Sequence, residues 1–191
     1  MGLDMYAYKV RKPSLDPSKV YARQELQREY VVLPPDEATS ELYQQVTPYA
    51  QKLRVTCRYY DLEKIREDFN MPDAEIWMVS SEGIGIGGKV NGIETTRKIS
   101  TEQITACYIV VREEECLVFA AESVAYWRKE YDLQELICDS LGGNVQDIGF
   151  YQLDKQTVDR INQYSADHCP TEFIEWVEPT ETSALFYHEW Y

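Results

Sequence analysis

The sequence predicts an α+β protein, a single domain spanning residues 1–191, in which antiparallel hairpins form a sheet packed on a central helix with shorter helices flanking it. Three observations predict this. The stretch Ser123–Gly143, SVAYWRKEYDLQELICDSLGG, reads as one helix. Short β-branched and aromatic runs with hairpin signals precede it. Helical periodicity and then an aromatic, strand-like run follow it.

The central helix has a start and a stop. Ser123 is a suitable N-cap, because its hydroxyl can accept a free amide of the first turn. Gly142 and Gly143 supply the left-handed conformation that ends helices. At about 100° per residue, Tyr126, Leu133, Leu136, Ile137 and Leu141 share one side. Val124, Trp127, Tyr131 and Cys138 share the adjacent side, and Arg128, Asp132, Glu135 and Asp139 form the polar face. A helix apolar over most of its circumference is enclosed by protein. Lys129 and Glu130 fall among the apolar positions. Either their stems lie flat with the charged heads in water, or they line a cleft beside Trp127 as a partly buried pair. Trp127, Lys129 and Glu130 are therefore the candidate cleft residues.

Before the helix, residues 3–9 alternate as a first strand, with Leu3, Met5 and Ala7 on one side and Asp4, Tyr6 and Tyr8 on the other. Pro13 and Pro17 mark a connector, and residues 24–30 read as either a helical turn or a strand. Ala38, Leu42 and Val46 share a helical face. Thr47-Pro48 is a second cap, opening a short helix that runs through Leu53. Val55–Tyr60 reads as a strand. Asp61 caps a helix carrying Leu62, Ile65 and Phe69, which Met71-Pro72 ends. Glu75–Ser80 is a strand. Asn91-Gly92 between alternating flanks is the strongest short hairpin signal. A second hairpin is expected from Ala106–Val111 and Cys116–Ala120 around a charged turn, Arg112–Glu115. After the helix come a strand at Asp147–Gln152 and a helix capped by Asp154 with Val158, Ile161 and Ser165 on one face. His168-Cys169-Pro170 breaks the chain. Strands at Phe173–Val177 and Ala184–Tyr191 complete it.

The motifs that could carry chemistry weaken on inspection. Gly83, Gly85 and Gly88 fit G-x-G-x-x-G, and Gly83, Gly88 and Lys89 fit G-x-x-x-x-G-K. Both motifs hold phosphate because the loop opens a helix. Here Val90-Asn91-Gly92 follows, a turn, and Val90 stands where the magnesium-binding Ser or Thr belongs. The glycines read as hairpin or bulge positions, so no cofactor is expected. Only two histidines exist, His168 and His188, and no pair of cysteines is spaced C-x-x-C, so no metal is expected. Five cysteines cannot all pair within one chain, and read as reduced, packed thiols.

No apolar run approaches the roughly 20 residues of a membrane span. The opening MGLDMYAYKV lacks a basic-then-apolar signal, so a cytoplasmic protein is expected. The net charge is −14, and it is uneven: residues 1–60 hold nine Lys/Arg against seven Asp/Glu, and residues 61–191 hold ten against twenty-six. Direct nucleic-acid binding is disfavoured, and a basic protein partner is favoured. The fifteen tyrosines suit cores and interfaces alike. A sheet edge left open by the hairpins would allow a homodimer.

Three runs carry a family resemblance: the opening MGLDMYAYKV, Val124-Ala125-Tyr126-Trp127-Arg128-Lys129, and Phe186-Tyr187-His188-Glu189-Trp190-Tyr191. They resemble a family of small uncharacterised phage and prophage proteins that begin MGLDMY, carry a Y-W-R-K helix and end in a Tyr/Trp-rich segment. The likeness covers about a third of the chain, in order. Many relatives follow Y-W-R-K with a His, an Asn-Leu pair and a second His or aromatic. Here Glu130-Tyr131-Asp132-Leu133-Gln134-Glu135-Leu136 follows, so any site built on those histidines is missing. The resemblance implies a phage-type product in host cytoplasm and assigns no catalytic or ligand residue.

Function is thus left between classes. The favoured one is an accessory protein that binds a host or phage partner without catalysis. The alternatives are a small enzyme with its cleft at Trp127–Glu130, and an acidic DNA mimic that inhibits a host nucleic-acid enzyme through patches such as Glu113-Glu114-Glu115, Asp132, Glu135 and Asp139.

Overall fold

The computed structural model describes residues 2–143, 145–168 and 171–190. Cys169, Pro170 and Tyr191, read above as part of a chain break and of the last strand, lie outside them. Strands and helices both form, as an α+β sequence predicts. Two compact units emerge, Met1–Val55 with Glu114–Tyr191, and Thr56–Glu113.

The first unit rests on three strands: β1 (Asp4–Arg11), β8 (Ile109–Arg128) and β10 (Ser183–Trp190). β1 pairs antiparallel with both others. The remaining strands of this seven-stranded sheet are β2 (Val20–Ala22), β3 (Val31–Leu33), β4 (Gln51–Tyr60) and β9 (Tyr151–Gln152). The sheet order is β2-β4-β8-β1-β10-β9, with β3 also on β8. Leu3, Met5 and Ala7 are fully buried, as their alternation predicts. They share one core with Trp127, Tyr187, Leu133 and Ile137 of α5 (Tyr131–Ser140), and Val158 and Ile161 of α6 (Lys155–His168). A second core lies on the other side of the alternation, where Val10, Phe119 and Phe186 meet Leu33, Val46 and Phe150. The helical turns α1 (Arg23–Leu26) and α2 (Pro35–Ala38) lie in the intervening segment.

Local signals place the ends of α5 and α6. The Asp154 carboxylate accepts the Thr157 amide at 2.7 Å, which caps α6 as expected. Gly142 and Gly143 have φ of 85° and 77°, and the Gly143 amide donates to the Cys138 carbonyl at 2.8 Å, closing α5.

The start of the central helix differs from the sequence reading. Ser123 is not an N-cap, and Ser123–Arg128 is the last part of a twenty-residue strand. The Y-W-R-K run is therefore a strand end and not a helix start. Its alternation is broken by a bulge: Ala7 pairs with Ala125 but Tyr8 pairs with Ser123, which leaves Val124 as the extra residue. The bulge changes the phase of the strand, so odd-numbered Leu117 and Phe119 and even-numbered Tyr126 and Arg128 come to one face. A period of two that slips once looks aperiodic, and that is why it passed for a helix. The corner into α5 is made by Lys129, at φ 60°, whose amide donates to the Leu3 carbonyl at 2.9 Å.

Three other expectations are corrected. The second hairpin does not form. Ala106 and Cys107 end α4 (Thr101–Cys107), which Ser100 caps, while Ile109–Val111 are extended as expected but belong to β8, which runs unbroken through Arg112–Glu115. That charged run holds no residue that a tight turn demands. Phe173–Val177 has no regular structure. Both backbone groups of Ile174 are satisfied instead by the Asn162 side chain, whose Nδ2 donates to its carbonyl and whose Oδ1 accepts its amide, each at 2.8 Å. The helix expected to continue through Leu53 stops as a 3-10 turn, Thr47–Tyr49, and Gln51 already belongs to β4.

In the second unit, α3 (Leu62–Asp68) is capped by Asp61 as expected, the carboxylate accepting the Lys64 amide. β5 (Glu75–Ser80), β6 (Gly83–Val90) and β7 (Ile93–Ser100) form a three-stranded antiparallel sheet in that order. Asn91 and Gly92 have φ of 51° and 80°, the pair of positive values that a two-residue type I′ hairpin requires. Ile84, Ile86 and Ile99 pack on Ile65, Met71 and Ile104.

Candidate functional site

The glycine-rich segment is a strand and not a phosphate loop. β6 is paired on both sides, so its amides belong to ladders with β5 and β7. Its glycines serve the neighbouring indole. A Cβ on Gly85 would stand 2.7 Å from Trp77, and one on Gly87 3.2 Å from it. The bare backbone seats Trp77, which remains 55% exposed.

The candidate cleft residues turn to different surroundings. Trp127 points into the core and is 2% exposed, and its Nε1–H has no hydrogen-bond partner. Lys129 is exposed, with its stem close over Gly2. Glu130 is half-buried and accepts a hydrogen bond from the Tyr164 hydroxyl at 3.0 Å. On the buried side of β10, Glu189 accepts from the Tyr187 hydroxyl at 2.7 Å and from Gln134 Nε2 at 3.1 Å. The nearby Cys138 thiol is pushed up in pKa, first by burial and then by the charges of Glu189 and Asp139. That environment disfavours a thiolate, so Cys138 is not set up as a nucleophile.

The opposite face of the same three strands has a different character. Alternation carries Asp4, Tyr6 and Tyr8 of β1, Tyr126 and Arg128 of β8, and His188 and Trp190 of β10 to that side. Register then arranges them in rows: Arg128, Asp4 and Trp190 in one, and Tyr126, Tyr6 and His188 in the next. The Tyr6 ring lies 4.9 Å from Tyr126, 5.5 Å from Tyr8 and 6.4 Å from His188. His188 stacks on Phe150 at 4.6 Å, which joins the cluster to the second core. Tyr126 and Trp190 are 40% and 60% exposed. Sequence reasoning named none of these seven strand residues as site residues, although all seven lie in the three runs on which a family likeness was expected.

Polar groups fix the rings. The Tyr126 hydroxyl donates to Asp4 Oδ1 at 2.6 Å, and this bond to a carboxylate raises the Tyr126 pKa. Arg128 Nε stands 3.7 Å from the same oxygen. His188 Nδ1 lies 3.0 Å from the Gly149 carbonyl, and since a carbonyl only accepts, Nδ1 carries the proton. Burial lowers the His188 pKa, so the ring is neutral near pH 7 and its Nε2 retains an acceptor lone pair. The face thus offers ring surfaces, one carboxylate and one imidazole acceptor. It is suited to hold a ligand by stacking and by accepting hydrogen bonds.

Compared with known proteins, the chain matches no family model, no curated protein and no solved structure. No helix among the described residues is long and apolar enough to cross a membrane.

Proposed function

We propose that this protein acts by binding a protein partner, without chemistry of its own, through the face bearing Tyr6, Tyr126, His188 and Trp190. The observation that carries the reading is the collection of large aromatic side chains, partly or well exposed, on three adjacent strands of one sheet. Aromatic residues combine contact area with few rotatable bonds, which is why they anchor interfaces. The unit that bears the face holds twelve Lys/Arg against twenty-three Asp/Glu, so it attracts a basic partner and repels nucleic-acid phosphates. An accessory role of a phage-type protein in host cytoplasm accords with this reading. If the partner were a nuclease or polymerase, the protein would take the sharper form of an acidic mimic. The alternative of a small enzyme draws no support from Trp127, Lys129 and Glu130, whose side chains do not converge.

The test is capture from a bacterial lysate, comparing the wild-type chain with a Tyr6→Ser/Tyr126→Ser double variant shown by circular dichroism to be folded. A basic protein retained by the wild type and lost from the variant is expected. Retention should fall as salt rises from about 0.05 to about 0.5 M, because exposed charges are screened over shorter distances. Equal capture by the two chains would refute the reading.

A further inference from the structure

We propose that the aromatic face is a seat for the guanidinium of an arginine side chain, held over Tyr6 and Tyr126 with Asp4 as its carboxylate. The inference rests on the docking reading above and names the chemistry of the group that docks.

The argument is one of matching. Rings gathered around Tyr6 at 4.9 to 6.4 Å present π faces, which attract cations. Asp4 stands in the next row on the same face, where a flat cation lying on Tyr6 and Tyr126 can donate to it. His188, protonated on Nδ1, adds an acceptor in the row of Tyr6. A guanidinium meets all three requirements: it is planar and stacks, it is charged, and it donates through a fork of N–H groups. An ammonium is charged but has no plane to stack. An apolar side chain would leave the imidazole nitrogen without a donor and add nothing to the Tyr126 hydroxyl and the loose Arg128 contact that Asp4 already has, and a phosphate would be repelled by Asp4. The chain already brings one guanidinium to this carboxylate. Arg128 lies 3.7 Å from Asp4 with its side chain 65% exposed, a loose pair that an incoming arginine can displace. Arg128 is therefore an internal competitor for the seat.

The experiment is an NMR titration of the full chain, following the ring signals of Tyr6, Tyr126 and His188, with a Gly-Arg-Gly-Arg-Gly peptide. Counterparts carrying lysine or citrulline are titrated in parallel. Citrulline keeps the plane and loses the charge. Saturable shifts of those rings are expected with the arginine peptide, with binding at least about fivefold weaker for the citrulline peptide, the factor that a cation–π contact supports, and weaker also for the lysine peptide, which lacks the plane that stacks. Asp4→Asn should weaken binding. Arg128→Ala should tighten it, an effect opposite in sign to general damage and one that a bystander pair would not produce. Absence of saturable shifts in the folded wild type would overturn the proposal, as would equal binding of the citrulline peptide. If lysate capture still depends on Tyr6 and Tyr126 while the arginine peptide fails, the seat falls and the docking reading stands. If both fail, both fall.

Discussion

His188 couples the aromatic face to the core beneath it. Its ring stacks on buried Phe150 and its Nδ1–H is committed to the Gly149 carbonyl. Burial is the first cause of its lowered pKa. The Gly149 bond and the charges of Asp147 and Glu189 act in the opposite sense and are outweighed. The unfolded chain, with an ordinary histidine near about 6.5, binds the proton first as pH falls. Stability associated with the neutral ring is therefore complete above that value and is lost as pH drops through it toward the lowered folded pKa. The urea midpoint of the wild type should fall between about pH 7 and about pH 5 by more than that of His188→Phe. Equal losses in the two proteins would show that the imidazole is not the group responsible.

At the scale of the element, Trp77 lies on the bare backbone of β6, and the glycines beneath it have a steric reason to be there. Gly85→Ala should lift the indole, shift its fluorescence and lower stability modestly, since the obstructing atoms belong to an exposed ring that can move. In a Trp77→Ala background the same change should be nearly neutral, and a double-mutant cycle measures the difference. This seating could not be read from the glycine spacing, which suggested phosphate motifs until the turn that follows was considered. Signals that act over a few residues were legible: the Asp61 and Asp154 caps, the Asn91-Gly92 hairpin and the glycine stop after α5. Signals that need a partner strand were not. The bulge at Val124 hides the alternation of β8, and Lys129 turns the chain at a positive φ without the glycine or asparagine that would announce it. Phe173–Val177 reads as a strand, but the partner that satisfies the Ile174 backbone is the Asn162 side chain, 12 residues back in the chain, and not a neighbouring strand.

For the whole molecule, two kinds of information had to be combined. The charge balance, legible in the sequence, underlies the proposed preference for a basic partner. The aromatic face was not legible, because its members come from residues 4–8, 126–128 and 188–190 and share a side only once β1, β8 and β10 are in register. The expected family likeness rested on these same three runs, without any indication that they would be neighbours. The division into two units was also unmarked, because neither boundary of Thr56–Glu113 falls in a linker-like run of Gly, Pro or Ser.

The unpaired residue in β8 has one more consequence, at the level of the gene. Removing the single codon for Val124 would restore an unbroken two-residue rhythm along the whole strand. Ser123 and Ala125 would then be neighbours opposite Tyr8 and Ala7, so the indole of Trp127 would stay inward and the phenol of Tyr126 outward. It is the opposite change, keeping the valine while straightening the kink that absorbs it, that would turn the strand inside out beyond this point.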